Sequence, residues 1–484
     1  MKKILLSTAL FFLAFCSSTL YAQQNITKYI KVYFTQPIDN TYSTTGLSPV
    51  YCNNSMFDTL AAYIGKAKYT IDIAQYEYKT YSGDPIAAAI NAAYSRGVKV
   101  RYIQDGKEAS TNTGVSLLNS SIPVEASPTG SGYNIMHNKI VIIDEYSPDT
   151  TKTWVWTGSP DWDQDMTTGD YNNVIVFQSK VLARAFTHEF DIMWGDTTHG
   201  ATYNSSAALF GYKKPNSGTH KFTIGGSEVE LYFDPSDTTQ NHIVDVIKSS
   251  STDLYCGMND FTDTTLAWDL VYQYKDHSVS TYGIIDAYTS SGQLPLTTIL
   301  PDGLGSNFTP YNNPTYLYHN KYVVSNPSAA CKNPMVLTGS HNWTFSAETE
   351  NDENTVIVHN DTIANYYLQA FANDFKVISG SSVVKPKTPC VTGINSIDGI
   401  ASEITTYPNP FNTSVTIKYN MVTDAIVTMA VYDITGQKIS TLADGKMLES
   451  GQHIFNFTCN NPGVYLLKIQ EGNNTYTTKL VSVN

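Results

Sequence analysis

Apolar and polar positions along this chain follow two periods in turn. Ile30-Lys31-Val32-Tyr33-Phe34 reads as a strand, and Tyr69-Thr70-Ile71-Asp72-Ile73-Ala74, alternating every second residue, as another. Met56 to Lys66 is spaced as a helix, and Pro85 opens an Ala-rich run to Tyr94, stopped by Gly97, that reads as a second. Val98 to Ile103 is the next strand. The order is then replayed: strand Val229 to Phe233, helix His242 to Lys248, strand Asp253 to Gly257, helix Thr265 to Tyr274, strand Gly283 to Ala287. An aromatic helix closes each round, Lys180 to Trp194 and Thr362 to Phe375. Strands alternating with helices predict an α/β layer architecture in two halves, 28–200 and 225–380, joined by a Gly- and Pro-punctuated stretch.

The ends of the chain break this pattern. Lys2 and Lys3, the apolar run Ile4 to Phe15 and a cut after Ala22 make residues 1–22 a secretory signal peptide. The run is too short to span a bilayer, and Phe15 fills the place before Cys16 where a lipoprotein signal has a small residue. Residues 381–399, with Lys385-Pro386-Lys387-Thr388-Pro389, read as a linker, and 400–484 contain only strand and turn signals, predicting a small all-β sandwich.

Within the replayed order lies a repeated string. His137-Asn138-Lys139 heads a β-branched run ending in Asp144, and 182 residues downstream His319-Asn320-Lys321 heads a second run ending in Asn326. Thr157-Gly158-Ser159 follows the first and Thr338-Gly339-Ser340 the second; thirteen residues past each Ser stand Asn172 and Glu353. This is an internal duplication. On a strand, His and Lys two apart project to one face, offering an imidazole for proton or nucleophilic work and an ammonium for a phosphoryl oxygen.

The paired H-x-K motifs, each with a downstream Gly-Ser, resemble the phospholipase D superfamily of phosphodiesterases over roughly residues 30–380. The resemblance implies a pseudo-two-fold arrangement of two α/β halves with one active site at their seam and no metal or cofactor. One His attacks phosphorus and the other serves as acid and then base. Lys139 and Lys321 hold the non-bridging oxygens, helped by Ser159, Ser340 and Asn342, and Asp144 completes the first motif. In such enzymes the acid that orients the nucleophile comes from the opposite half. On that pattern Glu353 orients His137 while His319 faces the neutral Asn172, which favours His137 as nucleophile and His319 as general acid. Three positions depart from the pattern: Asn326 for the motif's Asp, Asp161 where Asn is expected, and Asn172 for an acid. Related phosphodiesterases acting on DNA-linked tyrosine carry Asn at the first kind of position. Tyr407-Pro408-Asn409-Pro410-Phe411, Val431-Tyr432-Asp433-Ile434-Thr435-Gly436 and Gly463-Val464-Tyr465-Leu466-Leu467-Lys468-Ile469 resemble the C-terminal sorting domain of type IX secretion. That implies export, engagement of the secretion machinery and a secreted or cell-surface location.

Composition bears on substrate. Charged residues are sparse at 15% and the net charge is −13, becoming more negative once Lys2 and Lys3 are removed. Polynucleotide binding draws on a basic surface, and the balance here favours phospholipid head groups. An extracellular nuclease of the same superfamily and a catalytically silent surface-binding protein remain alternatives, the latter motivated by the altered polar helpers of the first half. Weaker features belong to structure. Asp161-x-Asp163-x-Asp165 starts like a calcium loop but has Met166 for the required Gly and Asn172 for the closing Glu, so it reads as a solvated acidic loop. His188-Glu189 lacks a second His at helical spacing and reads as part of the closing helix. Five cysteines outside the signal allow one or two disulfides with one thiol left over.

Overall fold

The computed structural model describes residues 26–130, 132–196, 202–383, 403–421, 424–433, 436–471 and 474–483. The signal peptide and all but the first three residues of the expected linker lie outside them. The described residues fall into two compact units, one on each side of the undescribed stretch 384–402.

The first unit holds two eight-stranded mixed sheets. One is built from β1 (Ile30–Phe34), β2 (Val50–Tyr51), β3 (Thr70–Gln75), β4 (Lys99–Gln104), β5 (Val124–Ala126), β6 (Lys139–Ile143), β7 (Trp154–Gly158) and β8 (Asn173–Phe177), in the order β2-β1-β8-β7-β6-β3-β4-β5. The other uses β9 (Lys221–Ile224), β10 (Ser227–Asp234), β11 (Asp253–Met258), β12 (Ser280–Asp286), β13 (Phe308–Tyr311), β14 (Lys321–Ser325), β15 (Met335–Gly339) and β16 (Glu353–His359), in the order β13-β12-β11-β14-β15-β16-β10-β9. The α/β expectation is met in both halves. Corresponding strands sit in corresponding places: β6 lies between β3 and β7, and β14 between β11 and β15.

The strands are apolar on both faces because each sheet is covered twice. Along β6, Ile140 and Ile142 enter a core shared by the two sheets, while Val141 and Ile143 turn to an outer core. That is the period-two alternation of a strand buried on both sides. The outer core of the first sheet is closed by helices Met56–Ile64 and Ile86–Ser95, that of the second by Thr239–Lys248 and Thr264–Asp276. The closing helices Lys180–Trp194 and Asp361–Ser379 fill the shared core with Phe186, Phe190 and Trp194 and with Tyr367, Phe371 and Phe375. Their limits follow from local chemistry. Ser179 caps Leu182 N and Gly195 ends the first helix at φ 72°; Asn360 caps Ile363 N and Gly380 ends the second at φ 75°.

The second unit is all antiparallel: a three-stranded sheet of β17 (Glu403–Tyr407), β18 (Ser414–Met421) and β21 (Gly451–Thr458), and a four-stranded sheet of β19 (Ala425–Asp433), β20 (Lys438–Leu448), β22 (Gly463–Glu471) and β23 (Asn474–Ser482). One apolar cluster, with Ile417 and Phe457 from one sheet and Met429 and Leu467 from the other, joins them as a sandwich. Cys331 is disulfide-bonded, whereas Cys52, Cys256 and Cys459 are free thiols. More than one thiol is thus left over, contrary to expectation.

Candidate active site

Both H-x-K segments reach their strands from the seam between the halves. β6 begins at Lys139 and β14 at Lys321. Each His therefore precedes its strand by two residues rather than lying on it. There the backbone is tied across the seam: His137 N donates to Asp352 O at 2.9 Å, and Tyr171 N to Leu317 O at 2.9 Å. Each Lys braces its own His, Lys139 Nζ to His137 O at 3.1 Å and Lys321 Nζ to His319 O at 2.9 Å.

The Gly-Ser pairs are dictated by close approach. A Cβ on Gly158 would lie 2.2 Å from Asn173 O, and one on Gly339 2.1 Å from Asn354 O. Only glycine lets β7 and β15 end there. The following serines then turn to the groups that orient the histidines. Ser340 Oγ donates to Glu353 Oε2 at 2.6 Å, and the same oxygen accepts from His137 Nδ1 at 2.8 Å. In mirror fashion Ser159 Oγ donates to Asn172 Oδ1 at 2.7 Å, and that oxygen accepts from His319 Nδ1 at 3.0 Å. The serines, expected to hold phosphoryl oxygens, here donate to the groups that contact the histidines. Four amides lace the halves together beneath: Asn354 donates to Asn138 and Asn173 to Asn320, while Thr157 and Thr338 donate to Asn354 and Asn173.

Asp161 brings the two motifs into one centre. Its Oδ1 pairs with Lys139 Nζ at 3.0 Å and its Oδ2 lies 4.0 Å from His319 Nε2. It is 3% exposed, and Asp163 caps the helix Gln164–Thr168 by accepting from Met166 N. The solvated acidic loop expected here is replaced by one buried site carboxylate and one cap. The signal lay in its place two residues past Ser159, where the pattern has Asn. Tyr76, which follows β3, was also missed; its ring stands 5.0 Å from both the His137 ring and Lys139 Nζ.

Two expected residues are differently placed. Asp144 sits at the far end of β6, about 16 Å of strand from Lys139. With φ 58° it turns its carboxylate onto Lys68 N, Tyr69 N and Thr70 N. Asn326 repeats this at φ 56°, accepting from Ser251 N and Thr252 N. The role is that of a backbone acceptor, which explains why Asn replaces Asp without loss of the local fold. Asn342 accepts from Asp260 N at 3.3 Å through its carbonyl.

The electrostatics follow from burial. His137, Lys139, His319 and Lys321 are all buried. Burial lowers His137 below its ordinary range against the pull of Glu353. Burial also raises Glu353, but the contacts with His137, His341 and Lys139 outweigh it and bring that carboxylate to about 2. The pair is therefore a neutral imidazole whose Nδ1–H donates to a carboxylate, leaving the Nε2 lone pair for chemistry. His319 is held well below its ordinary value by burial and then by Lys321, Lys139 and His137. Lys321 is lowered to about 7 by burial and the charge of Lys139. Behind Glu353, the buried Lys214 of the connector between halves pairs with Glu189 and, at 2.7 Å, with Asp352. His188 is exposed on the same helix, and of that dipeptide Glu189 turns inward to the connector.

A duplicated α/β fold with two histidines and two lysines at its seam thus defines the class. Residues 60–194 and 243–375 match the model of the cardiolipin synthase, phospholipase D-like domain, and residues 405–484 that of the secretion system C-terminal sorting domain. The chain belongs to the phospholipase D-like family and carries a type IX sorting domain, which marks it for secretion or cell-surface attachment. It is 27% identical over 147 residues to a mitochondrial cardiolipin hydrolase of Xenopus tropicalis, covering 30% of this chain and 64% of the relative. It is 29% identical over 159 residues to that of Drosophila melanogaster, covering 30% and 60%. The match spans less than two thirds of these relatives' length. In structure it resembles the phosphatidylserine synthase of Haemophilus influenzae Rd KW20, with a TM-score of 0.51 at 13% identity, covering 76% of this chain and 91% of the other. That likeness concerns the fold.

Proposed function

We propose that the protein is an exported phosphodiesterase of the phospholipase D type that hydrolyses phospholipid head groups without a catalytic metal. The observation that carries the assignment of roles is the 2.8 Å contact between His137 Nδ1 and Glu353. His137 Nε2 attacks phosphorus; an N–P bond forms as the P–O bond to the leaving group breaks, and His319 gives that oxygen its proton. His319 then takes a proton from water, whose oxygen attacks phosphorus and releases His137. Lys139 and Lys321 meet the non-bridging oxygens. A bound phosphodiester brings negative charge that favours the protonated forms of His319 and Lys321, both of which burial and neighbouring positive charge hold low. Glu353, Asn172, Ser159 and Ser340 act as positioning residues, and Asp144 as a backbone support.

The acidic net charge supports lipid over polynucleotide, as do the names of the cardiolipin hydrolase relatives. The test is hydrolysis of bis(p-nitrophenyl) phosphate in EDTA by the mature protein, His137→Ala and His319→Ala, followed by phosphatidylcholine vesicles and single-stranded DNA. Turnover lost by about 10² or more in both variants, with lipid cleaved in preference to DNA, is the expected result. Cleavage of DNA alone makes the protein a nuclease. Inertness on all three substrates makes it a silent binder.

A further inference from the structure

Beside this centre, and outside its reacting atoms, lies a second cluster. Asp234 ends β10, His341 follows Ser340, and Glu348 sits on the helix Phe345–Thr349. Asp234 Oδ2 lies 3.4 Å from His341 Nε2, and Glu348 Oε2 lies 3.6 Å from the same nitrogen; the three ligand atoms are all within 4.8 Å of one another. Neither approach is a hydrogen bond. His341 is 4% exposed, and neither of its ring nitrogens has a hydrogen-bond partner, nor has Asp234 Oδ2. The buried imidazole is thus aimed between two carboxylates at ion-pair distance, with no hydrogen bond at either ring nitrogen.

The spacing has a simple explanation. Ligand bonds of about 2.0–2.2 Å at tetrahedral angles put neighbouring donor atoms about 3.3–3.6 Å apart. The cluster Glu228, Glu230 and His359 provides an internal contrast. There His359 Nε2 meets Glu230 Oε1 at 2.7 Å, an ordinary hydrogen bond that needs no ion. Around the first cluster the outer partners of a metal site are also in place: Asp234 Oδ1 accepts from Thr239 N at 3.3 Å, and Glu348 Oε2 accepts from Gln240 N at 2.9 Å. Such contacts fix ligating carboxylates.

We propose that Asp234, His341 and Glu348 bind one divalent transition cation of the zinc type. One imidazole and two carboxylates hold it, with a further position open on the side of Glu348, the most exposed of the three. The donor set suits zinc or manganese and not magnesium, which requires oxygen ligands. The ion would tie β10 and the helix Phe345–Thr349 to the turn between Ser340 and Asn342. It is a structural ion next to the phosphodiesterase centre and takes no part in the step on phosphorus. No spacing motif announces it, since its ligands are scattered from 234 to 348.

The test uses the untagged mature protein, stripped with EDTA and dialysed. Calorimetric titration with zinc chloride is expected to give one saturable equivalent, and titration with cobalt chloride visible ligand-field absorption. Zinc should also raise the melting temperature in proportion to its saturation. Glu348→Gln, at a partly exposed position that preserves the fold, and His341→Ala should each weaken zinc binding at least about tenfold, while His359→Ala leaves it unchanged. Absence of saturable binding in the wild type overturns the proposal, as does binding that survives both triad variants or is lost in His359→Ala. Phosphodiester turnover is recorded separately and decides only the catalytic reading.

Discussion

In one half of the seam an imidazole rests against a carboxylate; in the other it rests against an amide. His137 and Glu353 meet at 2.8 Å, and His319 and Asn172 at 3.0 Å, each through an oxygen that also accepts from a Gly-Ser serine. The lysines differ in the same sense. Lys139 has Asp161 at 3.0 Å, whereas Lys321 is pushed down to about 7 by burial and by Lys139. A nearly symmetric backbone thus carries an asymmetric charge pattern. A carboxylate on the far nitrogen stabilises the charge that develops as a histidine attacks; an amide fixes a tautomer without holding a proton on it. The difference is one of chemistry and not of geometry.

The largest test of this asymmetry compares the two histidines on different leaving groups. With an alkyl phosphodiester, both His137→Ala and His319→Ala lose about 10² or more in rate. With a p-nitrophenyl ester, whose leaving group needs little proton assistance, His319→Ala regains most of its activity in the first turnover and His137→Ala does not. Next, Glu353→Gln is expected to lower kcat by about 10² with KM little changed. Asn172→Ala loses less than about tenfold, the value of one neutral hydrogen bond, and equal losses would erase the distinction. Third, Lys321 carries its charge only below its folded value near 7. Inhibition by inorganic phosphate should therefore weaken as pH rises through that value, and Lys321→Arg should move this limb upward. Fourth, Asp161→Asn removes a negative charge from Lys139 and tightens phosphate binding about tenfold, about 1.4 kcal/mol, as measured by the inhibition constant. Smallest, Asp144→Asn copies the second half's Asn326. It should cost about 1 kcal/mol of stability for a lost backbone hydrogen bond, visible in thermal unfolding, and leave turnover near wild type.

How far these features could be read in advance depended on their range. The duplication and the two α/β halves follow from repeated short strings, while the pairing of His137 with Glu353 and His319 with Asn172 was implied by the family resemblance. Helices such as Lys180–Trp194 were legible to the residue, because a serine cap and a left-handed glycine are local signals. Asp161 was visible as a departure, but its burial against Lys139 depends on how the chain turns after Gly158. The contacts of the serines were not legible because a hydroxyl suits a phosphate and a carboxylate equally; only the fold brings Glu353 and Asn172 within reach. Asp144 was placed with the site because it lies in the motif, though a strand separates it from Lys139. Asp234, His341 and Glu348 share no spacing, and nothing short of the folded chain brings them together.

The crossed pairing has a consequence for descent. Each histidine takes its partner from the other half, so a single half would hold an imidazole without its acceptor, and a site built from one kind of half needs two identical copies. In such a pair any substitution lands twice, and exchanging the acid for an amide would strip both histidines at once. Joining the copies in one chain let each change alone. The differences between the halves, Asn172 against Glu353 and Asp161 against Asn342, are of this separate kind.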